Sequence, residues 1–375
     1  ASWASARAAS VAAAAATLTT RDTVYCCLPL HHPSGMLVAT GSALIGGARL
    51  ALASKPPRAG AEVDPIPFWE EIRRYGASVV YYAGEMCRKL VDAPPVLGEK
   101  NNPVRLFAGS GLRRDVWRRL IDRFGPVGVL EFYASTEANT VLANARGKKI
   151  GSAGRPLPFS PDVVVAAWDF GGDTDGGFSR DGSGHLMRAR LDEPGMLIAK
   201  LASDRADISH IDPKRLLRDA FEPGDQWFVT GDFFEVDVEG DFTFVDRQGQ
   251  MIDTHLGAVA SARVEDAIYG VAGVALCAAV PAPDGDHAGK EHAVVAVALH
   301  RNAELDLGAL SAAVASLPEY ARPRRLAIVD DIPLTDGFRA IKRGIRELVA
   351  NAAQAYAWDA RAQRFVPALE VIRAS

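Results

Sequence analysis

Three short stretches of this chain carry side chains suited to holding a nucleotide. They are Glu131-Phe132-Tyr133-Ala134-Ser135-Thr136-Glu137-Ala138-Asn139, then Trp227-Phe228-Val229-Thr230-Gly231-Asp232, then Asp246-Arg247-Gln248-Gly249. Tyr133 offers an aromatic face for a base. Thr136 offers a hydroxyl for phosphate, and Glu137 a hard carboxylate oxygen of the kind magnesium takes while keeping most of its water. Asp232 closes an aromatic run and can accept from both hydroxyls of a vicinal diol. Arg247 brings five N–H donors for ribose or phosphate oxygens. Each has an ordinary alternative: a buried strand-end tyrosine, a Thr-Glu helix cap, a turn aspartate, a surface ion pair. Their joint order favours the nucleotide reading, with ATP or AMP as ligand and Mg2+ at Glu137.

The elements that must position these groups follow from periodicity. From Arg21 to about Ala145, strand-like runs alternate with helix-like ones. Thr23 to Leu28, Arg49 to Ala53, Ser78 to Tyr82, Val104 to Ala108 and Gly128 to Phe132 read as strands. Gly35 to Leu44, Pro67 to Tyr75 and Asp115 to Phe124 read as helices, as does the alanine-rich start, Ala1 to Thr20. That alternation predicts an α/β fold with a parallel sheet, whose functional loops lie at the carboxyl ends of its strands. The turn at Gly109-Ser110-Gly111 and the stretch at Tyr133 both fall there.

From Gly151 to Val245, short strands separated by Gly, Asp and Pro predict a small barrel-like part. The Gly- and Asp-rich stretch from Asp169 to Gly184 lacks calcium-loop spacing and reads as a solvated loop. Beyond Arg247 a compact α+β unit is expected, with helices at Val264 to Tyr269 and Leu307 to Leu317. Strands at Val274 to Pro281, Ala293 to Leu299 and Leu326 to Val329 precede a last helix over Phe338 to Leu348.

Composition excludes several classes. The chain has 375 residues, 48% of them hydrophobic, with formal net charge -4. That is enough for two or three domains and gives no electrostatic reason to expect nucleic acid. Cys26, Cys27, Cys87 and Cys277 show no CxxC spacing, which argues against a zinc or disulfide framework and for a reducing, cytoplasmic setting. No stretch is long and apolar enough to span a bilayer. The adjacent His31 and His32 have no further ligands nearby in sequence and read as part of a pocket wall.

The order of motifs resembles the adenylate-forming superfamily, and within it the branch of fatty-acid transport proteins and very-long-chain acyl-CoA synthetases. The stretches Cys27 to His32, Tyr82 to Arg88, Gly109 to Arg113, Glu131 to Asn139, Thr230 to Asp232, Asp246-Arg247, Leu317 to Pro323 and Arg364 to Pro367 carry it. The resemblance implies activation of a fatty acid by ATP to an acyl-adenylate, then transfer to CoA. It implies a nucleotide domain over 1–246 (sheet 1–150, barrel-like part 151–246) and a mobile lid over 247–375. By that likeness Gly109, Ser110, Gly111, Leu112 and Tyr133 line the nucleotide and acyl pocket, with His32 and Gly84 on its substrate side. Thr136 and Glu137 handle phosphate and Mg2+, while Asp232 and Arg247 hold ribose. Fatty acid is the expected partner, and the branch admits peripheral membrane attachment.

Three departures stand out. The Ser/Thr/Gly-rich loop with a lysine that grips phosphate in this superfamily is absent from the sequence, so an upstream domain or a complementary chain would have to supply it. Arg339 stands where the lid's lysine is expected, with Lys342 about one helical turn further as a substitute. Asp253, His255 and Leu256 replace an expected basic-basic-glycine run, which weakens the CoA step. A non-catalytic module that binds an adenylate or acyl group is therefore the alternative reading.

Overall fold

Thr23 to Cys26 and Val79 to Ala83 are buried at every position, so as strands they need cover on both faces. In the computed structural model they receive it at the centre of a large sheet. The structure describes residues 3–54, 64–135, 137–138, 140–145, 147–157, 160–170, 177–201, 211–335 and 337–368. Its first strands are β1 (Thr23–Cys26), β2 (Arg49–Leu52), β3 (Val79–Ala83), β4 (Leu106–Ser110) and β5 (Gly128–Ser135). They are followed by β6 (Thr140–Asn144) and β7 (Arg155–Pro156). The spatial order is β2-β1-β3-β4-β5-β6-β7.

The first five strands are parallel, but β6 and β7 run antiparallel. The expected purely parallel sheet is thus a mixed one. The chain lays β2 on one side of β1 and then β3 on the other. This reversal of winding opens a crevice at the carboxyl ends of β1 and β3.

Helices cover the sheet: α1 (Trp3–Ala15), α2 (Gly41–Gly46), α3 (Pro65–Tyr75), α4 (Met86–Asp92) and α5 (Arg114–Phe124). The segment before α2, Ser34–Thr40, is wound as a π-helix rather than the expected α-helix. At α3, the Asp64 carboxylate accepts from the Ile66 N–H at 3.0 Å, Pro65 opens the helix, and Gly76 closes it at φ 61°. Helix α5 buries Val116, Trp117, Leu120 and Phe124 on one face.

Strands β8 (Val163–Ala167), β9 (Gly195–Lys200), β10 (Leu216–Arg218), β11 (Gln226–Val236) and β12 (Phe242–Arg247) form an antiparallel sheet. A small barrel was expected here. Among the described residues the pairing stays open, as β10-β11-β9-β8 with β12 also on β11.

A hairpin follows, β13 (Met251–Thr254) and β14 (Gly257–Ala260), and leads into α6 (Ser261–Tyr269). Next come β15 (Val274–Pro283), β16 (Glu291–Leu299), α7 (Leu307–Ala315), β17 (Arg325–Ile328), α8 (Ile345–Asn351), β18 (Gln354–Asp359) and β19 (Arg364–Pro367). The last sheet takes the order β15-β16-β17-β18-β19. The expected helix from Phe338 starts only at Ile345. Before it the chain makes a tight loop, with Leu334 bridged to Ala340 and Phe338 at φ 58°. That left-handed backbone cannot continue into a helix.

One apolar core runs from the first sheet into the C-terminal unit and joins Phe107, Trp117 and Leu130 to Val264, Ile268, Phe338 and Val349.

Candidate functional site

The first motif does not end its strand. Strand β5 runs on through Tyr133 to Ser135 and turns back into β6, with Glu137 and Ala138 in the turn. The ordinary alternative of a helix cap is therefore not realised. Thr136 and Asn139 lie outside the described residues.

Asp232 is presented by an irregularity. The register of β11 on β9 shifts between Val229 and Phe233, and Gly231 adopts φ 78°. The Thr230 hydroxyl donates to the Leu197 carbonyl at 2.7 Å and accepts from the Asp232 N–H at 3.1 Å. A bulge of this kind re-aims a side chain. Here it turns Asp232 toward Tyr133, whose hydroxyl donates to Asp232 Oδ2 at 2.7 Å. Strand β12 pairs Arg247 directly opposite Asp232, with Arg247 Nε 3.7 Å from Asp232 Oδ1. Burial raises the Asp232 pKa above the usual carboxylate value, although the Tyr133 hydrogen bond and the Arg247 and Arg339 charges pull it down.

Tyr133, Glu137, Asp232 and Arg247 share one open cavity of about 610 Å³, together with Ser135, Thr230, Gly231, Lys214, Arg215 and Gln248. That volume is in the range of small-ligand sites. The Tyr133 ring packs edge-on against Phe234 with centroids 4.9 Å apart.

Glu137, expected at a metal, is paired with Arg215 at 2.9 Å. Sequence reasoning missed Arg215. Its guanidinium also donates to the Val229 carbonyl at 2.9 Å and the Thr230 carbonyl at 2.7 Å, tying the β5–β6 turn to the bulge. Nothing in the local sequence marks it; it is the last residue of the short helical turn Pro213–Arg215.

Glu131 was read only as part of the motif, yet it organises the turn after β4. Its carboxylate accepts from the Tyr82 hydroxyl, from the Gly111 N–H at 2.5 Å and from the Leu112 N–H at 3.3 Å. Burial pushes its pKa up to about 8, while these hydrogen bonds and the Arg339 charge oppose the rise. The turn from Gly109 to Leu112 is thereby held beside Tyr82 and Gly84, and none of its residues lines the cavity that holds Tyr133.

The C-terminal unit reaches the crevice through its loop at Gly337 to Arg339. The Glu85 N–H donates to the Phe338 carbonyl at 3.1 Å. A Cβ added at Gly84 would stand 2.6 Å from that carbonyl oxygen, so only glycine permits this approach. Gly337 packs beside His32, whose Nε2 would lie 3.4 Å from a Cβ built there. Hence His32 and Gly84, expected on the substrate side, meet the loop that carries Arg339. The pKa of Arg339 is lowered by the protein around it and by the Arg247 charge, while Asp232, Glu131 and Tyr133 act to raise it.

Lys342 does not join this group. Its ammonium pairs with Glu265 at 2.8 Å and also donates to the Ser261 hydroxyl. The expected helical spacing between Arg339 and Lys342 fails because the loop, not a helix, separates them. Lys342 instead belongs to an ionic seam between the two parts of the chain. Arg113 binds Glu265, Asp266 at 2.5 Å and Glu85 at 3.4 Å. Arg88 binds Glu85 at 2.6 Å and Asp115 at 3.0 Å, and its guanidinium lies 3.7 Å from the centre of the Tyr269 ring. Burial alone would raise the Glu265 pKa, but Lys342 and Arg113 more than offset it and hold it below the usual value.

Comparison with known proteins finds relatives in sequence and in fold. A family profile described as AMP-binding enzyme matches residues 3–177, and one described as AMP-binding enzyme C-terminal domain matches residues 263–339. The human "Long-chain fatty acid transport protein 3" is 34% identical over 345 residues, covering 86% of this chain and 47% of the relative. A medium/long-chain fatty acid–CoA ligase of Mycobacterium tuberculosis is 32% identical, covering 88% of this chain and 54% of the relative. The chain thus spans about half the length of these curated relatives. ATP-bound MatB from Rhodopseudomonas palustris superposes with a TM-score of 0.72 at 20% identity, over 93% of this chain and 64% of that one. The O-succinylbenzoate-CoA synthetase of Bacillus subtilis, solved with ATP and magnesium, gives 0.67 at 18% identity, over 92% and 66%. The mixed sheet, the C-terminal sheet and these matches together establish that the chain belongs to the AMP-binding, adenylate-forming superfamily.

Proposed function

We propose that this chain carries the sugar-holding and lid parts of an enzyme that activates a fatty acid with ATP and passes the acyl group to CoA. The observation that carries the reading is the convergence of Tyr133, Asp232 and Arg247 on one cavity, within the field of Arg339. Residues 1–246 would form the nucleotide domain and 247–375 the lid. Asp232 and Arg247 would take the ribose, Tyr133 and the turn Gly109 to Leu112 the base and acyl side, and Glu137 with Thr136 the phosphate and Mg2+. Arg339 would meet the charge that develops between carboxylate and α-phosphate, where preset positive charge lowers the barrier. No helix among the described residues is long and apolar enough to cross a membrane. The phosphate-gripping loop would have to come from beyond these residues or from another chain.

A second reading has its own support. Asp232 is already engaged by Tyr133 and Arg247, Glu137 by Arg215, and arginine replaces the lid lysine. An adenylate-binding module without turnover fits those facts.

Fatty-acid-dependent ATP–pyrophosphate exchange by the full-length gene product separates the two. Exchange supports the enzyme; AMP binding without exchange supports the module. On either reading, Asp232→Ala should weaken AMP binding by about 1–3 kcal/mol, on the order of five- to 150-fold. Unchanged AMP affinity would remove the ribose assignment.

A further inference from the structure

The hairpin turn between β13 and β14 and the loop between β15 and β16 meet at a pair of histidines. His255 is exposed in the turn, and His287 is half-buried in the loop. Their rings are stacked, with centroids 3.9 Å apart and planes inclined by 2°. The candidate ligand atoms of His255, His287 and Asp284 all lie within 4.8 Å of one another.

Asp284 is buried and its oxygens are taken. Arg324 grips it with two N–H groups at 2.9 and 2.8 Å, the Asp286 N–H donates to Oδ1 at 3.0 Å, and His287 Nδ1 lies 3.1 Å from Oδ2. Asp284 is thus poorly placed as a direct ligand and well placed as a support. With Nδ1–H donated to the carboxylate, His287 keeps a lone pair on Nε2. A carboxylate behind a histidine in this way fixes the ring and strengthens it as a metal ligand.

The surrounding charge favours a cation. Asp253, Asp284, Asp286 and Glu291 gather here against Lys290 and Arg324; Lys290 pairs with Asp253 at 3.0 Å, Arg324 reaches Asp286 at 3.1 Å, and Glu291 accepts from the Asp253 N–H at 3.0 Å. Four carboxylates against two cations leave a net negative patch.

We propose that His255 and His287 form a site for one divalent transition-metal ion, zinc in the first instance, with Asp284 as the group that orients His287. Imidazole donors select zinc, copper or nickel over magnesium and calcium. Imidazole binds a metal in the plane of its ring, so His255 must tilt out of the stack. Its exposed position in the turn allows that motion. The ion would tie the β13–β14 hairpin to the β15–β16 loop, two segments otherwise joined there by the Asp253–Lys290 pair and the Asp253–Glu291 hydrogen bond.

Zinc titration of the metal-free chain against a chromogenic chelator tests the site. One zinc per chain is expected, with His255→Ala and His287→Ala each weakening it by at least about tenfold. Asp284→Asn should weaken it by a factor within the range of about 10–100 known for such supports. The exposed His255 variant keeps the test valid where the Asp284 variant loses the Arg324 pair and unfolds. Added zinc should also slow amide exchange in the Thr254–Gly257 turn and the Asp284–Lys290 loop together. Three results would overturn the proposal: unchanged zinc affinity in His255→Ala, zinc lost only when His31 and His32 are replaced, or no zinc bound in the titration.

Discussion

Asp232 and Glu265 are both carboxylates that face an arginine from another part of the chain, yet their surroundings give them different work. Asp232 sits on an open cavity, and Arg247 beside it keeps a side chain 49% exposed. Glu265 is 3% exposed and held by Lys342, Arg113 and the Ala279 N–H at 3.0 Å. A charge that still meets water can exchange that water for a ligand. A charge sealed among fixed partners cannot, and its value lies in what happens when a partner is removed. The C-terminal unit's two candidate cations divide along the same line: Arg339 feels the charges of Asp232 and Arg247, and Lys342 lies in the seam.

The comparison can be broken most sharply at Glu265. Glu265→Ala leaves Lys342 and Arg113 without their shared partner in a buried place, and should cost about 3–5 kcal/mol. Denaturant unfolding measures it, and a loss below about 1 kcal/mol would mean the seam is a surface feature. Lys342→Ala should also destabilise while leaving AMP affinity unchanged within about twofold, since Lys342 does not reach the cavity. A large loss of AMP affinity in that variant would return Lys342 to the nucleotide.

A smaller effect is expected at Gly84. Gly84→Ala drives a Cβ against the Phe338 carbonyl and strains a backbone at φ 43°, so about 1–3 kcal/mol should be lost. The Gly337 to Arg339 loop should then exchange its amides faster, by mass spectrometry, than the rest of the C-terminal sheet. Unchanged protection would show that the loop is not seated by Gly84.

A pH dependence is expected at Glu131. Its folded pKa of about 8 lies above the ordinary 4.5, so the folded state binds the extra proton. Stability from this group is fully present below about pH 4.5 and falls as pH rises toward 8. Glu131→Gln should remove that fall, gaining on the order of 3 kcal/mol relative to the unaltered protein between pH 5 and pH 8. Parallel stability curves for the two proteins would refute the raised pKa.

Much of the frame was legible in the chain. The alternation of strands and helices predicted the covered sheet, and the helix expected from Pro67 starts two residues earlier at Pro65, where Asp64 caps it. The antiparallel turn of β6 was not legible, because Glu131 to Asn139 reads equally as a strand leading into a helix. The loop at Phe338 was missed for a similar reason: its pattern is helical, and only the docking on Gly84 forces the left-handed backbone.

By itself the sequence determined the alternating strands and helices and the three stretches that bring an aromatic ring, a carboxylate and a guanidinium to one cavity. Those features depend on near neighbours along the chain, whose spacing fixes which face each side chain takes. The tertiary structure alone decided that Arg215 meets Glu137, that Lys342 turns to Glu265, and that Glu131 gathers N–H groups from the turn at Gly111. Ion pairs and buried hydrogen bonds join residues tens to hundreds of positions apart, and desolvation, which sets their strength, exists only once the chain has packed.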